Sequence, residues 1–212
     1  MKEKIDIRTL DLEEISFFFE QNNIARFRAK QVYEWLWKKR ALSFDEMTSL
    51  SISDRSLLSK HFKINGVSIH KMEQSNDNTI KYSLKLYDNK LVEGVLIPSR
   101  KRLTACVSSQ AGCSLACTFC ATGTLKLERN LNYAEIYDQV YILNEEAKLK
   151  FGKPLSNIVY MGMGEPLLNY DNLIKSTKLI SSDDGLAMSP RRITVSTAGI
   201  SKMIKKLADD NI

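Results

Sequence analysis

The chain has 212 residues, with 31 Lys and Arg against 25 Asp and Glu, a formal net charge of +6 and an apolar fraction of 43%. That length excludes a large multidomain assembly and allows one sizeable domain, or a small domain plus part of a larger one. Ordinary apolar content excludes a disordered chain, no apolar run reaches transmembrane length, and the basic balance suits a polyanionic partner whose phosphates attract lysine and arginine.

Residues 9 to about 62 read as helical. Leu10, Leu12, Ile15, Phe18 and Phe19 recur at near-helical spacing, and Phe27, Val32, Tyr33, Leu36 and Trp37 form a second run. Asn22-Asn23 breaks the two. A third helix is expected near Ser43, where Ser43-Phe44-Asp45-Glu46 has a capping pattern, and a fourth near Ser53-Asp54. Lys38-Lys39-Arg40 closes the second run, either as favourable charge at a helix C-terminus or as a phosphate contact. Trp35 and Trp37 read as core or domain-interface residues rather than base-stacking platforms.

From Val67 the period changes to two. Val67–Met72, Ile80–Tyr87 and Leu91–Ile97 read as strands, with turns at Asn76-Asp77-Asn78 and Asp88-Asn89, the last two strands forming a hairpin. Pro98, Ser99 and the basic run Arg100-Lys101-Arg102 are expected to divide this small sheet from the C-terminal half of the chain, as a solvated linker or as a basic flank for a polyanionic partner. After Leu103 strands and helices alternate. Strands are expected at Leu103–Ser108, Asn157–Met161 and Arg192–Ser196, with helices over about 133–149, 171–180 and 200–208. Such alternation implies an α/β fold with a parallel sheet and functional residues at the C-terminal ends of the strands. The expected division is therefore 1–62 helical, 63–102 a small β-sheet and linker, and 103–212 the alternating region.

Three of the four cysteines lie within eight residues, as Cys113, Cys117 and Cys120 in a C-x3-C-x2-C run. A [4Fe–4S] cube presents four irons, so three local thiolates leave one iron for a non-protein ligand. An electron carrier would fill all four positions. A structural zinc site instead needs four closed ligands; the remaining cysteine is Cys106, and His61 and His70 are far off in sequence, so a four-cysteine zinc knuckle stays open as the alternative. The start, Met1-Lys2-Glu3-Lys4-Ile5-Asp6, has no apolar signal core, which points to a cytoplasmic protein with reduced thiols.

The cysteine run, with Phe119 between its last two cysteines, resembles the signature of radical S-adenosylmethionine (SAM) enzymes. Met161-Gly162-Met163-Gly164-Glu165-Pro166 is similar to the strand end that holds the SAM amino group in that superfamily, and Ile193-Thr194-Val195-Ser196-Thr197-Ala198-Gly199 to a later strand whose polar residue contacts SAM. Closer still, Cys106-Val107-Ser108-Ser109-Gln110-Ala111-Gly112-Cys113 running into Cys117–Gly123, Phe27-Arg28-Ala29-Lys30-Gln31 with Trp35, and Leu91–Pro98 resemble the RlmN-type ribosomal RNA adenine methyltransferases. The Cfr-type enzymes, which methylate carbon 8 of the same kind of adenine, share the cysteine segment.

The resemblance implies a partial (βα) radical-SAM barrel, of which three βα units are present against about six in the superfamily, preceded by a helical RNA-binding domain. The chain reads as an N-terminal fragment. It implies a [4Fe–4S] cluster on Cys113, Cys117 and Cys120, SAM on the fourth iron, Glu165 accepting from the SAM ammonium, Gly164 allowing close backbone approach, and Ser196 as a further SAM contact. It also implies a substrate adenine in 23S rRNA, in some members tRNA, methylated at carbon 2, and a reductant such as flavodoxin. In such enzymes one SAM methylates a cysteine near the C-terminus. A second SAM provides the radical that abstracts hydrogen from that methyl group, and the methylene radical adds to carbon 2. An upstream cysteine, here Cys106, assists deprotonation of the covalent protein–RNA intermediate, a disulfide forming as the product is released. The methyl-carrying cysteine has no counterpart among the four here, so this chain alone is expected not to complete the reaction. Glu93 matches the family's acidic residue that takes or relays a proton. Apolar neighbours Val92 and Val95 would raise its pKa; the plainer reading is a solvent-facing glutamate alternating with inward Val92 and Gly94.

Overall fold

The computed structural model describes residues 4–210, and Met1–Glu3 and Asn211–Ile212, from which part of the signal-core and fragment readings came, lie outside the described residues. Two compact units are present: residues up to Gly66 with Ser182–Ala187, and Val67–Ser181 with the chain from Met188 onward.

In the first unit Asp11 and Glu14 form a reciprocal capping box, each side chain accepting the other's backbone N–H at 2.8 Å, and this starts helix α1 (Leu12–Gln21). Asn23, at φ 56°, turns the chain toward α2 (Phe27–Trp37). Ser51 caps α3 (Ile52–His61) by accepting from Asp54 N–H at 3.1 Å. Ile15, Phe19, Val32, Leu36, Trp37 and Leu58 form the core, and a short parallel pair, β1 (Ile5–Asp6) with β2 (Phe62–Lys63), joins the ends. The third helix expected near Ser43 is a single 3-10 turn over Phe44–Glu46. Phe44, Met47 and Leu50 all enter the core from this stretch; Glu46 turns its carboxylate back onto Leu42 N–H and Ser43 Oγ, and the chain leaves helical geometry at Met47, φ −76° and ψ 62°. Trp37 is fully buried. Trp35 is half-buried, donates to Ser49 Oγ at 2.8 Å, and carries Lys39 Nζ 3.8 Å from its ring centroid, so one lysine of the basic triplet lies on an aromatic face.

The second unit is built on one six-stranded sheet. Its strands are β3 (Ser68–Gln74), β4 (Ile80–Lys85), β5 (Leu91–Pro98), β6 (Leu103–Cys106), β9 (Asn157–Tyr160) and β10 (Ile193–Val195), in the order β10-β9-β6-β5-β4-β3. A small separate ladder pairs β7 (Gln110–Ala111) with β8 (Arg129–Asn130). Strands β3 to β6 are antiparallel neighbours, joined at Asn78 and Asn89 by turns with φ 65°; β6, β9 and β10 are parallel and alternate with α4 (Tyr133–Phe151), α5 (Tyr170–Ser181) and α6 (Ser201–Asp209). This corrects the expected divide at 98–102. Pro98 pairs with Leu103 and Val95 with Cys106, so the basic run is a turn between antiparallel partners, and the strands of 68–98 belong to the same sheet as the alternating region. Pairing of β5 with β6 leaves no local mark in the sequence, because Pro98 and the charged run look like a boundary.

The two faces of this sheet differ. One is packed under α4 and α5: Tyr82 Oη donates to Glu146 on α4 at 2.9 Å, Tyr160 Oη lies 2.9 Å from Ser176 Oγ on α5, and Leu84, Leu96, Ala105 and Ile158 are fully buried. Side chains alternate across a strand and directly paired residues share a face. Glu93 therefore lies opposite Val92 and Gly94, on the face that also carries Val95 and its partner Cys106.

Candidate active site

The loop bearing the three cysteines, residues 112–128, is closed at its neck by the β7–β8 ladder and by Glu128 N–H donating to Ala111 O at 2.8 Å. Gly112, at φ 77°, opens the loop, and a Cβ there would strike the Lys126 carbonyl, so only glycine fits. Below the neck Arg129 bonds two carboxylates at once: Nε and Nη2 donate to Asp88 at 2.7 and 3.0 Å, Nη1 and Nη2 to Glu135 at 2.8 Å each. Glu135 is fully buried in the first turn of α4, where it also completes a capping box with Asn132. The Arg129 guanidinium holds the Asp88 carboxyl below the usual range, and both carboxylates hold Arg129 protonated against the opposing effect of burial.

Between β6 and the loop lies a buried polar web that sequence reasoning missed. Ser108 Oγ donates to the Glu93 carbonyl at 2.6 Å and accepts from Met163 N–H at 2.9 Å, while its own backbone exchanges two bonds with the Gln139 amide, at 2.9 and 3.0 Å. Ser109 N–H and Gln110 N–H both donate to the Met163 carbonyl, at 2.9 and 3.2 Å. Gln110 Oε1 accepts from Glu165 N–H at 2.9 Å, and Asn169 Nδ2 donates to the Ser109 and Leu131 carbonyls at 2.8 and 2.7 Å. The web ties the end of β6, which feeds the cysteine loop, to the end of β9, which carries Gly164-Glu165. The one signal for it in the sequence is the polar triplet Ser108-Ser109-Gln110 directly after an apolar strand.

Cys113, Cys117 and Cys120, each half-buried, share a cavity of about 340 Å³ with Gly164, Glu165 and Ser196. Leu115 N–H points at Cys113 Sγ from 3.4 Å. Gly164, at φ 93°, has a reason beyond ligand access: a Cβ there would come within 2.5 Å of Gln110 Cβ. Glu165 is 3% exposed; Oε1 accepts from Leu167 N–H at 3.0 Å and Oε2 from Ala198 N–H at 2.7 Å, so its carboxylate joins the end of β9 to the segment after β10. It pairs with no lysine or arginine among the described residues. A buried carboxylate so placed, with lone pairs still free, suits an incoming ammonium group. Ser196 sits exposed at the rim, directly after β10.

Cys106 stands apart from this cavity, buried in β6. Burial pushes its thiol pKa up, the Glu93 charge adds to the effect, and the Met161 amide opposes it. Three thiols lining one cavity are a donor set in which each sulfur could take its own iron of a polynuclear cluster. Glu93 follows the plainer of its two readings: Val92 and Gly94 turn to the buried face, and the Glu93 carboxylate, 52% exposed, sits 3.4 Å from Lys81 Nζ. It lines a second cavity, of about 430 Å³, with Ala121, Thr122 and Leu125 of the cysteine loop and Met163 of the β9 end. The two cavities share Thr122.

Comparison with known proteins agrees with this geometry. Residues 5–64 match the model for the ribosomal RNA large subunit methyltransferase N-terminal domain, and residues 107–211 that for the radical SAM superfamily. The chain is 55% identical over 210 residues to the probable dual-specificity RNA methyltransferase RlmN of Flavobacterium psychrophilum, covering 99% of this chain and 60% of that one. It is 46% identical to the dual-specificity RNA methyltransferase RlmN of Oleidesulfovibrio alaskensis, covering 92% and 56%. The crystal structure of a radical SAM methyltransferase from Sphaerobacter thermophilus superposes with a TM-score of 0.84 at 35% identity, over 96% of this chain and 60% of that one. The chain thus spans about 60% of the length of these relatives.

Proposed function

The chain belongs to the RlmN-type family of radical SAM RNA methyltransferases, and from that premise we propose that it holds the cluster, SAM and proton-handling residues of an enzyme that methylates carbon 2 of an adenine in 23S ribosomal RNA, and in transfer RNA. The observation that carries the reading is one cavity lined together by three half-buried thiols and by Gly164, Glu165 and Ser196. Cys113, Cys117 and Cys120 hold three irons of a [4Fe–4S] cluster. Glu165 takes the SAM ammonium in charge-assisted hydrogen bonds, and Ser196 contacts SAM at the rim. When bound, these groups supply one-electron reduction, from a donor such as flavodoxin, and a carbon-centred radical.

The chain's own part is to orient and to handle protons. Units β6–α4, β9–α5 and β10–α6 form the first part of a partial barrel, with every site residue of the cavity beyond the C-terminal end of a parallel strand. The adenine leaves its stack and enters the second cavity, where Glu93 accepts the ring proton. Cys106, kept as a neutral thiol by burial, stands on the same sheet face to help release the product. The methyl-carrying cysteine is not among the four here, so methylation belongs to the whole protein, which acts in the cytoplasm. No helix among the described residues is long and apolar enough to cross a membrane.

Anaerobic reconstitution with iron and sulfide, followed by dithionite and SAM, tests this reading. The expected product is 5′-deoxyadenosine without RNA methylation, reduced more than about tenfold by Glu165→Gln. No 5′-deoxyadenosine from a loaded chain would contradict the SAM site, and methylated RNA from this chain alone would contradict the need for a further cysteine.

A further inference from the structure

Four charges cross the open sheet face in a row. Lys71 Nζ lies 2.6 Å from Glu73 on β3, Glu73 lies 3.6 Å from Lys81 on β4, and Lys81 lies 3.4 Å from Glu93 on β5. Glu73 and Lys81 are direct cross-strand partners, and Glu93 sits opposite Ser83, one diagonal step from Lys81. The ladder is therefore fixed by strand register rather than by chance meetings of mobile side chains. It ends where chemistry is expected: Glu93 lines one cavity with Lys71, Glu73, Lys81 and Ser83, and on its other side the larger cavity with Ala121, Thr122 and Met163. No other cation is paired with Glu93 among the described residues.

We propose that Lys81 is a positioning residue, which tethers the Glu93 carboxylate between the two cavities and compensates its charge on the face shared with Cys106. The inference rests on the reading of Glu93 as the proton acceptor. A glutamate half in water has three free torsions and no reason to hold one pose; an ammonium at 3.4 Å on a neighbouring strand supplies one. Glu93's charge raises the Lys81 pKa in turn, so the lysine stays cationic throughout the working range. The charged groups facing Glu93 are Lys81 from β4 and, through Lys81, Glu73 and Lys71 from β3. From β6 the facing group is the Cys106 thiol, and the cysteine loop contributes only uncharged Ala121, Thr122 and Leu125. Because Cys106 feels the Glu93 charge, its thiol reports on the tether without any need for turnover.

The test is the pH profile of Cys106 alkylation in the 212-residue chain, resolved by mass spectrometry to the individual cysteine. Glu93→Gln should lower the Cys106 midpoint and Lys81→Met should raise it, each by about half a pH unit, the lysine variant by leaving the carboxylate uncompensated. In the Glu93→Gln background Lys81→Met should raise the midpoint clearly less than it does with Glu93 present, because the lysine's own field remains while the part that acts through the glutamate's position is gone. Lys81→Arg should restore the original profile, and thermal melting should show each variant folded, as expected for an exposed position. A Cys106 midpoint unmoved by Lys81→Met but moved by Glu93→Gln would overturn the role of Lys81 alone. A midpoint unmoved by Glu93→Gln would overturn both this inference and the placement of Glu93 beside Cys106. An equal Lys81→Met shift in both backgrounds would reduce the lysine to a bystander charge and overturn the tether.

Discussion

The cysteine loop and the polar web beneath it adjoin in sequence and differ in almost every physical respect. Over residues 112–128 the backbone makes short turns, Phe119 is 92% exposed, and the three thiols remain half-buried. Ser108, Ser109, Gln110, Glu165 and Asn169 are at most 3% exposed, each held by hydrogen bonds to backbone or amide groups on other segments. The difference separates two tasks. On the proposed reading the thiols must be reachable by iron, while the frame that aims them must not move, and buried hydrogen-bonded polar groups supply that rigidity.

Replacing Cys117 by Ser would break the loop's task and leave the frame's intact. Iron bound after anaerobic reconstitution should fall by about tenfold or more, whereas the apo melting temperature should stay within about 2 °C, since the side chain is only half-buried. A large fall in melting temperature would show that the loop is structural after all.

Arg129→Met tests the neck between the regions. It strands the buried Glu135 carboxylate without its cation and should cost about 3 kcal/mol in urea unfolding at neutral pH. Asp88 has a depressed folded pKa, so the stability it shares with Arg129 is present above the unfolded value of about 3.9 and is lost as pH falls through the folded one. The gap between wild type and Arg129→Met should therefore narrow below about pH 4. A gap independent of pH would remove Asp88 from the account.

Asn169→Ala addresses the web itself. The buried Leu131 carbonyl loses its donor and the Ser109 carbonyl keeps only the Leu131 N–H, so unfolding should become easier by about 1–2 kcal/mol. A neutral result would mean that water replaces the amide and that the web is softer than its hydrogen bonds suggest. The smallest effect belongs to the loop's tip: Phe119→Ser should change apo stability by less than about 0.5 kcal/mol, as read from the same unfolding curves.

The same comparison explains what could be read in the sequence. The grouping of Cys113, Cys117 and Cys120 was legible because their spacing is local, while Gly164-Glu165 and Ser196 came from the family resemblance and fit its expectation of strand-end positions; all six line one cavity. Elements with local signals were legible too, among them α4 over Tyr133–Phe151 and the turns at Asn78 and Asn89. What escaped was set by partners distant in sequence. Pairing of Val95 with Cys106 merged two expected regions into one sheet, and Asn169 bonding to Ser109 and Leu131 has no signature in its own neighbourhood. For Glu93, alternation with Val92 and Gly94 was enough to read the solvent-facing side, whereas its neighbour Lys81 lies on another strand and left no local sign.

The central claim is that three loop thiols and the Gly164–Ser196 side of one cavity together hold a cluster with an open iron and SAM. Electron paramagnetic resonance of the anaerobically reconstituted, reduced chain, with and without SAM, tests it most directly. The account predicts a [4Fe–4S]⁺ signal whose g-values shift when SAM is added. A chain that binds one zinc and no cluster, or a cluster signal indifferent to SAM, would contradict it.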